Sequence, residues 1–307
     1  MRSIPNASTT VMIVALCLVA LLTSAEPSPA GKRASTENIV FSSEFGDELF
    51  VMNTKTREKR TIPLRLAEFR DLTYSQALHA LALVGSRTEG GQHSIFLLHW
   101  PRWTIEALPN LHEAPYRPAF SPDGKFVYAV DYGPKIFRYS IENKTWQRVP
   151  VEGLPDFHAQ GLAFSPSGRR AAISPGDFKG FIIADVAAER FRVSRTVLSD
   201  FDGCTSPRWL DENTILFAGR RQPGLQFLWT FDLSTGQVRQ LSNPPIGVRD
   251  FIAVSPDGKN VVFTGDDGKK VVEWTIWLLP LDSLQAVKLL PGKRDDSFLF
   301  PAWVEQQ

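Results

Sequence analysis

From about residue 37 onward, short runs of β-branched, aromatic and aliphatic residues alternate with polar turns. This is the pattern of strands linked by hairpins. One phrase recurs three times: Phe120-Ser-Pro-Asp-Gly-Lys125, Phe164-Ser-Pro-Ser-Gly-Arg169 and Val254-Ser-Pro-Asp-Gly-Lys259. Each copy is followed by an apolar run, namely Phe126–Val130, Ala171–Ile173 and Val261–Thr264. An Asp-Gly or Ser-Gly pair between two such runs predicts a hairpin, because the turn that matches strand twist needs positive φ, which glycine supplies without strain.

Weaker copies fill the gaps, with Trp209-Leu-Asp-Glu-Asn213 before Thr214–Phe217 and Tyr74-Ser-Gln-Ala77 before Leu81–Val84. The anchors Tyr74, Phe120, Phe164, Trp209 and Val254 are then 46, 44, 45 and 45 residues apart. That period accommodates four strands per unit. A second hairpin follows downstream in each unit, in runs such as Glu48–Met52, Ser94–Leu98, Lys135–Tyr139, Gly180–Ala184, Gln226–Phe231 and Trp274–Leu279, and these runs count six units. The ends complement one another. Phe300-Pro-Ala-Trp303 matches Arg117-Pro-Ala-Phe120 and Ser206-Pro-Arg-Trp209, yet the sequence ends at Gln307, while the first unit, from Asn38, has later strands and no first one. Joining the two predicts an all-β, six-bladed β-propeller over residues 37–307, closed by pairing of the C-terminal strand with the N-terminal blade, so that no sheet edge is left open.

Before the repeats, Arg2 precedes the apolar run Val11–Leu22, followed by Thr23-Ser24-Ala25 and then Glu26-Pro27. This three-part layout predicts a secretory signal peptide over residues 1–25, with residues 26–36 as a linker. A run of this length rises only about 18 Å as a helix, short of the roughly 30 Å hydrocarbon core, so no stable membrane span is expected once the signal is cleaved. Cleavage also removes Cys17. Cys204 is then the sole cysteine, read as a small packed thiol, since the nearest histidine in sequence, His158, is 46 residues away.

With their Pro-x-aromatic lead and Ser-Pro-Asp-Gly-Lys turn, the repeats resemble the WD40-like (PD40) propeller repeats of the TolB family, found in the TolB periplasmic protein and in the propeller of prolyl oligopeptidases. The resemblance covers nearly all of the chain beyond the linker. It implies the fold far more than a function, since the recurring residues make turns and blade packing. TolB itself resembles a propeller preceded by an α/β domain, for which only about a dozen residues remain here between Ala25 and the first strand. The hydrolase elbow Gly-x-Ser-x-Gly of the peptidases is not in this sequence.

Charge narrows the partners. There are 34 basic and 33 acidic residues, and a chain cut after Ala25 loses only Arg2, so nucleic acid is not an expected partner. Function on a propeller is expected where inner strands begin near the axis. The positions before each anchor there carry Arg70 and Asp71, Arg117, His158 and Gln160, Thr205, then Arg249 and Asp250. Arg208 departs from the alanine found at equivalent positions 119, 163 and 302. Mixed charge at such a mouth suits a polar peptide or glycan. The leading expectation is an exported, non-catalytic, monomeric binding module without a cofactor, taking a protein or peptide in the periplasm, cell envelope or extracellular space. The alternative is a metal-dependent polysaccharide lyase or hydrolase resembling the oligogalacturonate lyases, which hold a metal with three histidines and a glutamine. Here His93, His112, His158 and Gln160 would have to converge, although no His-x-His or His-x-x-x-His pair supports them locally. The tryptophans are read as blade packing rather than as a sugar platform.

Overall fold

The computed structural model describes residues 38–43, 45–111, 115–131, 135–153, 159–177, 179–187, 190–242, 246–268, 274–290 and 297–305. The predicted signal peptide and linker lie outside them. Six antiparallel sheets follow in order around the molecule. Blade one joins both ends of the chain, Phe298–Val304 innermost, then Asn38–Ser43, Leu49–Asn53 and Lys59–Ile62. Blade two is Glu68–Ser75, Ala80–Ser86, Ser94–His99 and Thr104–Ala107. Blade three is Tyr116–Phe120, Phe126–Val130, Ile136–Ser140 and Thr145–Val149. Blade four is Ala159–Phe164, Arg170–Pro175, Phe181–Val186 and Phe191–Val197. Blade five is Gly203–Trp209, Thr214–Arg220, Phe227–Asp232 and Val238–Gln240, and blade six Gly247–Val254, Asn260–Asp266, Thr275–Pro280 and Val287–Lys288. Blade four gains an outer rim from Val151–Glu152, which pairs parallel to its last strand and is held by Glu152 against Arg190 (2.7 Å) and Arg192 (3.3 Å).

The recurring turn works as its residues predict. Gly124 and Gly258 each sit at φ +71°. In blade three the Ser121 hydroxyl donates to Asp123 (2.7 Å) and accepts from the amide of Phe126 (2.9 Å), while the Lys125 amide donates to Asp123 (3.1 Å). Ser255, Asp257, Lys259 and Asn260 repeat the same bonds in blade six. Where blade four has Ser167 in place of the aspartate, a carboxylate comes from the next blade instead: Glu212 accepts from the Ser167 amide (2.6 Å) and hydroxyl (3.0 Å). One turn thus both closes a hairpin and fastens neighbouring blades.

Strand alternation buries both faces of each sheet. In Asn38–Ser43, Ile39 and Phe41 pack toward blade six with Val262, Ile276 and Leu289, while Val40 packs toward blade two with Leu81 and Leu83. Six apolar clusters result, one at each junction between adjacent blades, and the junction of blades six and one is filled like the others. The ring is therefore closed, with Ile39 opposite Trp303 and Asn38 opposite Val304 in the seam. Trp100, Trp209, Trp277 and Trp303 are buried, as blade packing predicts. Cys204 is fully buried within the cluster between blades four and five. Burial pushes its thiol up to about 12, outweighing the opposing backbone bond at Gly180, and the charge of Asp200 adds a smaller upward push. Among the described residues no helix is long and apolar enough to cross a membrane.

Candidate functional site

Every innermost strand breaks register with its neighbour at one depth. The shifts fall between Arg70 and Thr73, Tyr116 and Ala119, Ala159 and Gly161, Thr205 and Arg208, and Val248 and Ile252, with a matching one in the seam of blade one. Counting back three residues from each anchor gives Phe300, Asp71, Arg117, Gly161, Ser206 and Phe251 for blades one to six. Four of these carry left-handed backbone despite having side chains: Asp71 (φ 57°), Arg117 (43°), Ser206 (50°) and Phe300 (52°). A bulge inserts an extra residue and re-aims its side chain. Repeated six times around an axis, it makes a throat.

All six of these residues, and the six that follow them, line one cavity of about 40 Å³. Its composition is lopsided. Phe251 and Phe300 meet at a tilt of 54° with ring centres 4.0 Å apart on one side. On the adjoining blade two, Asp71 is buried, accepts the backbone amide of Arg117 (3.3 Å) and lies 3.9 Å from the Arg70 guanidinium. The Arg117 side chain runs across blade four, where a Cβ on Gly161 would sit 3.7 Å from its Nη1. The Arg117 side chain thus packs within van der Waals range of the blade-four strand at Gly161. Arg70 and Arg117 both lie over the ring of Tyr116, with centroid distances of 5.8 and 5.1 Å.

One residue further along, five blades place small side chains at the axis (Thr73, Ala119, Ala163, Ala253, Ala302), and blade five places Arg208. Arg208 lines both the throat and a wider cavity of about 320 Å³ beyond it, which the six anchors encircle. Its Nη1 donates to the carbonyl of Pro207 (2.8 Å). Burial pulls the guanidinium from 12.5 down to about 10, and the charge of Arg117 adds to the pull. It stays cationic at neutral pH, at a cost to the fold.

The throat therefore brings together three of the residues expected from sequence: Asp71, Arg117 and Arg208. Arg70 stands beside them. Gln160 occupies the bulge of blade four, between the paired residues Ala159 and Gly161. Thr205 is buried and donates to Gln226 (3.2 Å), away from the throat lining. Arg249 lies over the indole of Trp274, 4.9 Å from its centre, and Asp250 belongs to the same inner strand. His93 pairs with Glu68 at 3.4 Å. His112 and His158 lie outside the described residues. Among the described residues no group of three or more His, Cys, Asp or Glu side chains is placed to hold a metal. Sequence reading passed over Gly161, Ser206, Phe251 and Phe300, although their fixed offset from the anchors was visible. It also looked to the strand starts, whereas the cavities lined from all six blades lie at the bulge and at the strand ends.

A six-bladed, TolB-like propeller with a charged throat is the class that fold and site define. Among solved structures, TolB from Acinetobacter baumannii is similar at 17% identity and a TM-score of 0.67, over 89% of this chain and 67% of that one. The putative TolB from Agrobacterium tumefaciens is similar at 16% identity and a TM-score of 0.63, over 86% of this chain and 98% of that one. No family model matches the sequence, and no curated protein matches it.

Proposed function

We propose that this chain is an exported, non-catalytic propeller that binds a protein or peptide partner through its axial channel, in the periplasm or cell envelope or outside the cell. It acts as a monomer and needs no cofactor. The observation that carries this reading is Arg208. An arginine stands in a ring of small residues at the axis, lines both cavities and lies within reach of a second arginine's charge, an arrangement that opposes its ionised form. Groups kept at such cost are candidates for recognition. The signal-like layout of residues 1–25 supports export, and the likeness in shape to TolB structures suits a binding role by analogy.

The test is capture of partners from a native envelope fraction by the tagged chain beginning at Glu26, compared with Arg117→Ala and Arg249→Ala. Loss of a specific partner at unchanged melting temperature supports the reading. Stoichiometric manganese or zinc in the purified protein, together with polysaccharide cleavage abolished by His158→Ala, replaces it with the lyase.

A further inference from the structure

An extended segment covers the outer edge of one blade in this molecule. Val151–Glu152 adds parallel to Phe191–Val197, the last strand of blade four, with Val151 opposite Phe191 and Glu152 opposite Arg192. Its backbone supplies the pairing, and its one acid joins two bases at the start of the strand it covers. Glu152 accepts from Arg190 at 2.7 Å and from Arg192 at 3.3 Å. Among the described residues the outer strands of the other five blades have no such cover.

The outer strand of blade one, Lys59-Arg60-Thr61-Ile62, stands apart from the other uncovered ones by charge. Blade two has no base there, and blades three, five and six have one each, Arg148, Arg239 and Lys288, the last joined to Asp267 at 3.6 Å. In blade one two adjacent bases lie on opposite faces of the sheet. Lys59 lies over the rings of Phe50 and Phe298, 4.3 and 4.8 Å from their centres, on the side toward blade six. Arg60 is opposite Val51, on the side toward blade two. Arg57 and Arg65 extend the basic stretch at either end, against the single acid Glu58. Lys59, Arg60 and Arg65 are exposed, and none of them pairs with a carboxylate among the described residues.

The backbone of this edge is open too. The Asn53 amide donates to the Glu58 carbonyl at 3.1 Å, and antiparallel pairs alternate between bonded and unbonded. Val51 with Arg60 and Leu49 with Ile62 are therefore the bonded pairs of this hairpin, which leaves the N–H and C=O groups of Lys59 and Thr61 directed away from the sheet. We infer that the outer edge of blade one takes an extended, acidic segment of a partner protein as an added strand, its backbone on Lys59 and Thr61 and its carboxylates on Lys59 and Arg60. The cover of blade four shows the same mode built into the chain itself. The open ladder accounts for a strand as occupant, and opposite charges across the new pair account for its acidity. This surface lies on the outer wall and does not depend on what the channel binds.

Fluorescence anisotropy tests it, with the chain beginning at Glu26 and a labelled, end-capped peptide Thr-Val-Glu-Glu-Val-Thr beside its Gln-Gln and Lys-Lys counterparts. The acidic peptide is expected to bind about fivefold or more tightly than the glutamine peptide, as two cross-strand charge pairs imply. Lys59→Glu combined with Arg60→Glu should invert the order, so that the lysine peptide binds best. Thr61→Pro removes an outward amide and no bond to Leu49–Asn53, so it should abolish binding at an unchanged melting temperature. N-methylation of alternate peptide amides, in each of the two frames, makes the same test from the partner's side if that variant melts early. Equal binding of the acidic and glutamine peptides, or no binding of either, overturns the inference and leaves the bases as a guard against edge-to-edge pairing. Acidic binding that survives loss of the backbone bonds overturns it as well, in favour of a charged patch without strand addition.

Discussion

The indole of Trp303 donates to the carbonyl of Ala253, 3.2 Å away on the inner strand of the preceding blade. Trp209 makes the same bond to Ala163 at 3.0 Å. In both, an anchor reaches back to the residue just before the previous anchor, so the repeat phrase carries its own inter-blade fastening. The Trp303 bond differs in consequence, because it ties the last strand of the chain to blade six while that strand pairs with the first.

Removing residues 300–307 should therefore open the ring, leaving Asn38–Ser43 as an unpaired edge and the protein aggregated or unfolded. Trp303→Ala alone is expected to cost about 3 to 5 kcal/mol, the usual loss for a buried large aromatic. Urea denaturation of the chain beginning at Glu26 measures both. An unchanged midpoint after truncation would refute closure at this seam.

Substitutions in the hairpin turns should be mild by comparison. Asp123→Ala removes the acceptor for Ser121 and Lys125 but leaves Gly124 and the strands in place, for a loss of about 1 kcal/mol. Glu212→Ala should cost at least as much, since that carboxylate serves a turn in another blade. Partner capture should be unaffected in both.

Stability should fall in acid. Hydrogen bonds from Ser234 and the backbone amides of Thr235 and Ser234 hold Asp232 down from 3.8 to about 2. Bonds from Arg190 and Arg192 lower Glu152. For Asp123 and Asp257 burial pulls the other way, and bonds from Ser121 and Ser255 and from the following amides outweigh it. Each folded value lies below the unfolded one, so the unfolded chain takes up protons first as pH falls. The contribution is complete above the unfolded values of 3.8 and 4.5 and is lost as pH drops through the folded ones. A melting temperature level above about pH 5 and falling steadily below about pH 4 is expected; one rising toward pH 3 would contradict the pairing.

Arg208→Ala should stabilise the fold. A base whose folded value is pulled down to about 10 is held in its charged form at a cost at every lower pH. Alanine restores the residue that four other blades carry at this level, and the channel leaves no sealed void behind it. A gain of about 1 to 2 kcal/mol in urea is expected. A large destabilisation would instead make Arg208 part of the packing.

Cys204 should resist thiol reagents. At pH 8 it is protonated and buried, so iodoacetamide should label it only at the rate at which the protein opens, and promptly once unfolded in urea. Rapid labelling of the native protein would show that the junction of blades four and five breathes.

Blade number, strand spacing and the completion of blade one by the C-terminus were legible in the sequence because they rest on local codes. Alternation buries sheet faces, Asp-Gly and Ser-Gly set the turns, and a period near 45 residues repeats them. Arg208 also stood out without coordinates, as an arginine where the phrase puts alanine. What no local pattern states is depth along an axis that exists only after six sheets close. The bulge that turns Asp71, Arg117, Ser206 and Phe300 inward is a register shift between strands. The path of Arg117 over Gly161 crosses from one blade to the next, and Phe251 meets Phe300 only because the last strand returns to the first blade. Sequence determined the blades, since each is built from contacts within one repeat. Tertiary structure decided the throat, since it belongs to all six repeats at once and its charge balance depends on which side chains the closed ring points at a common center.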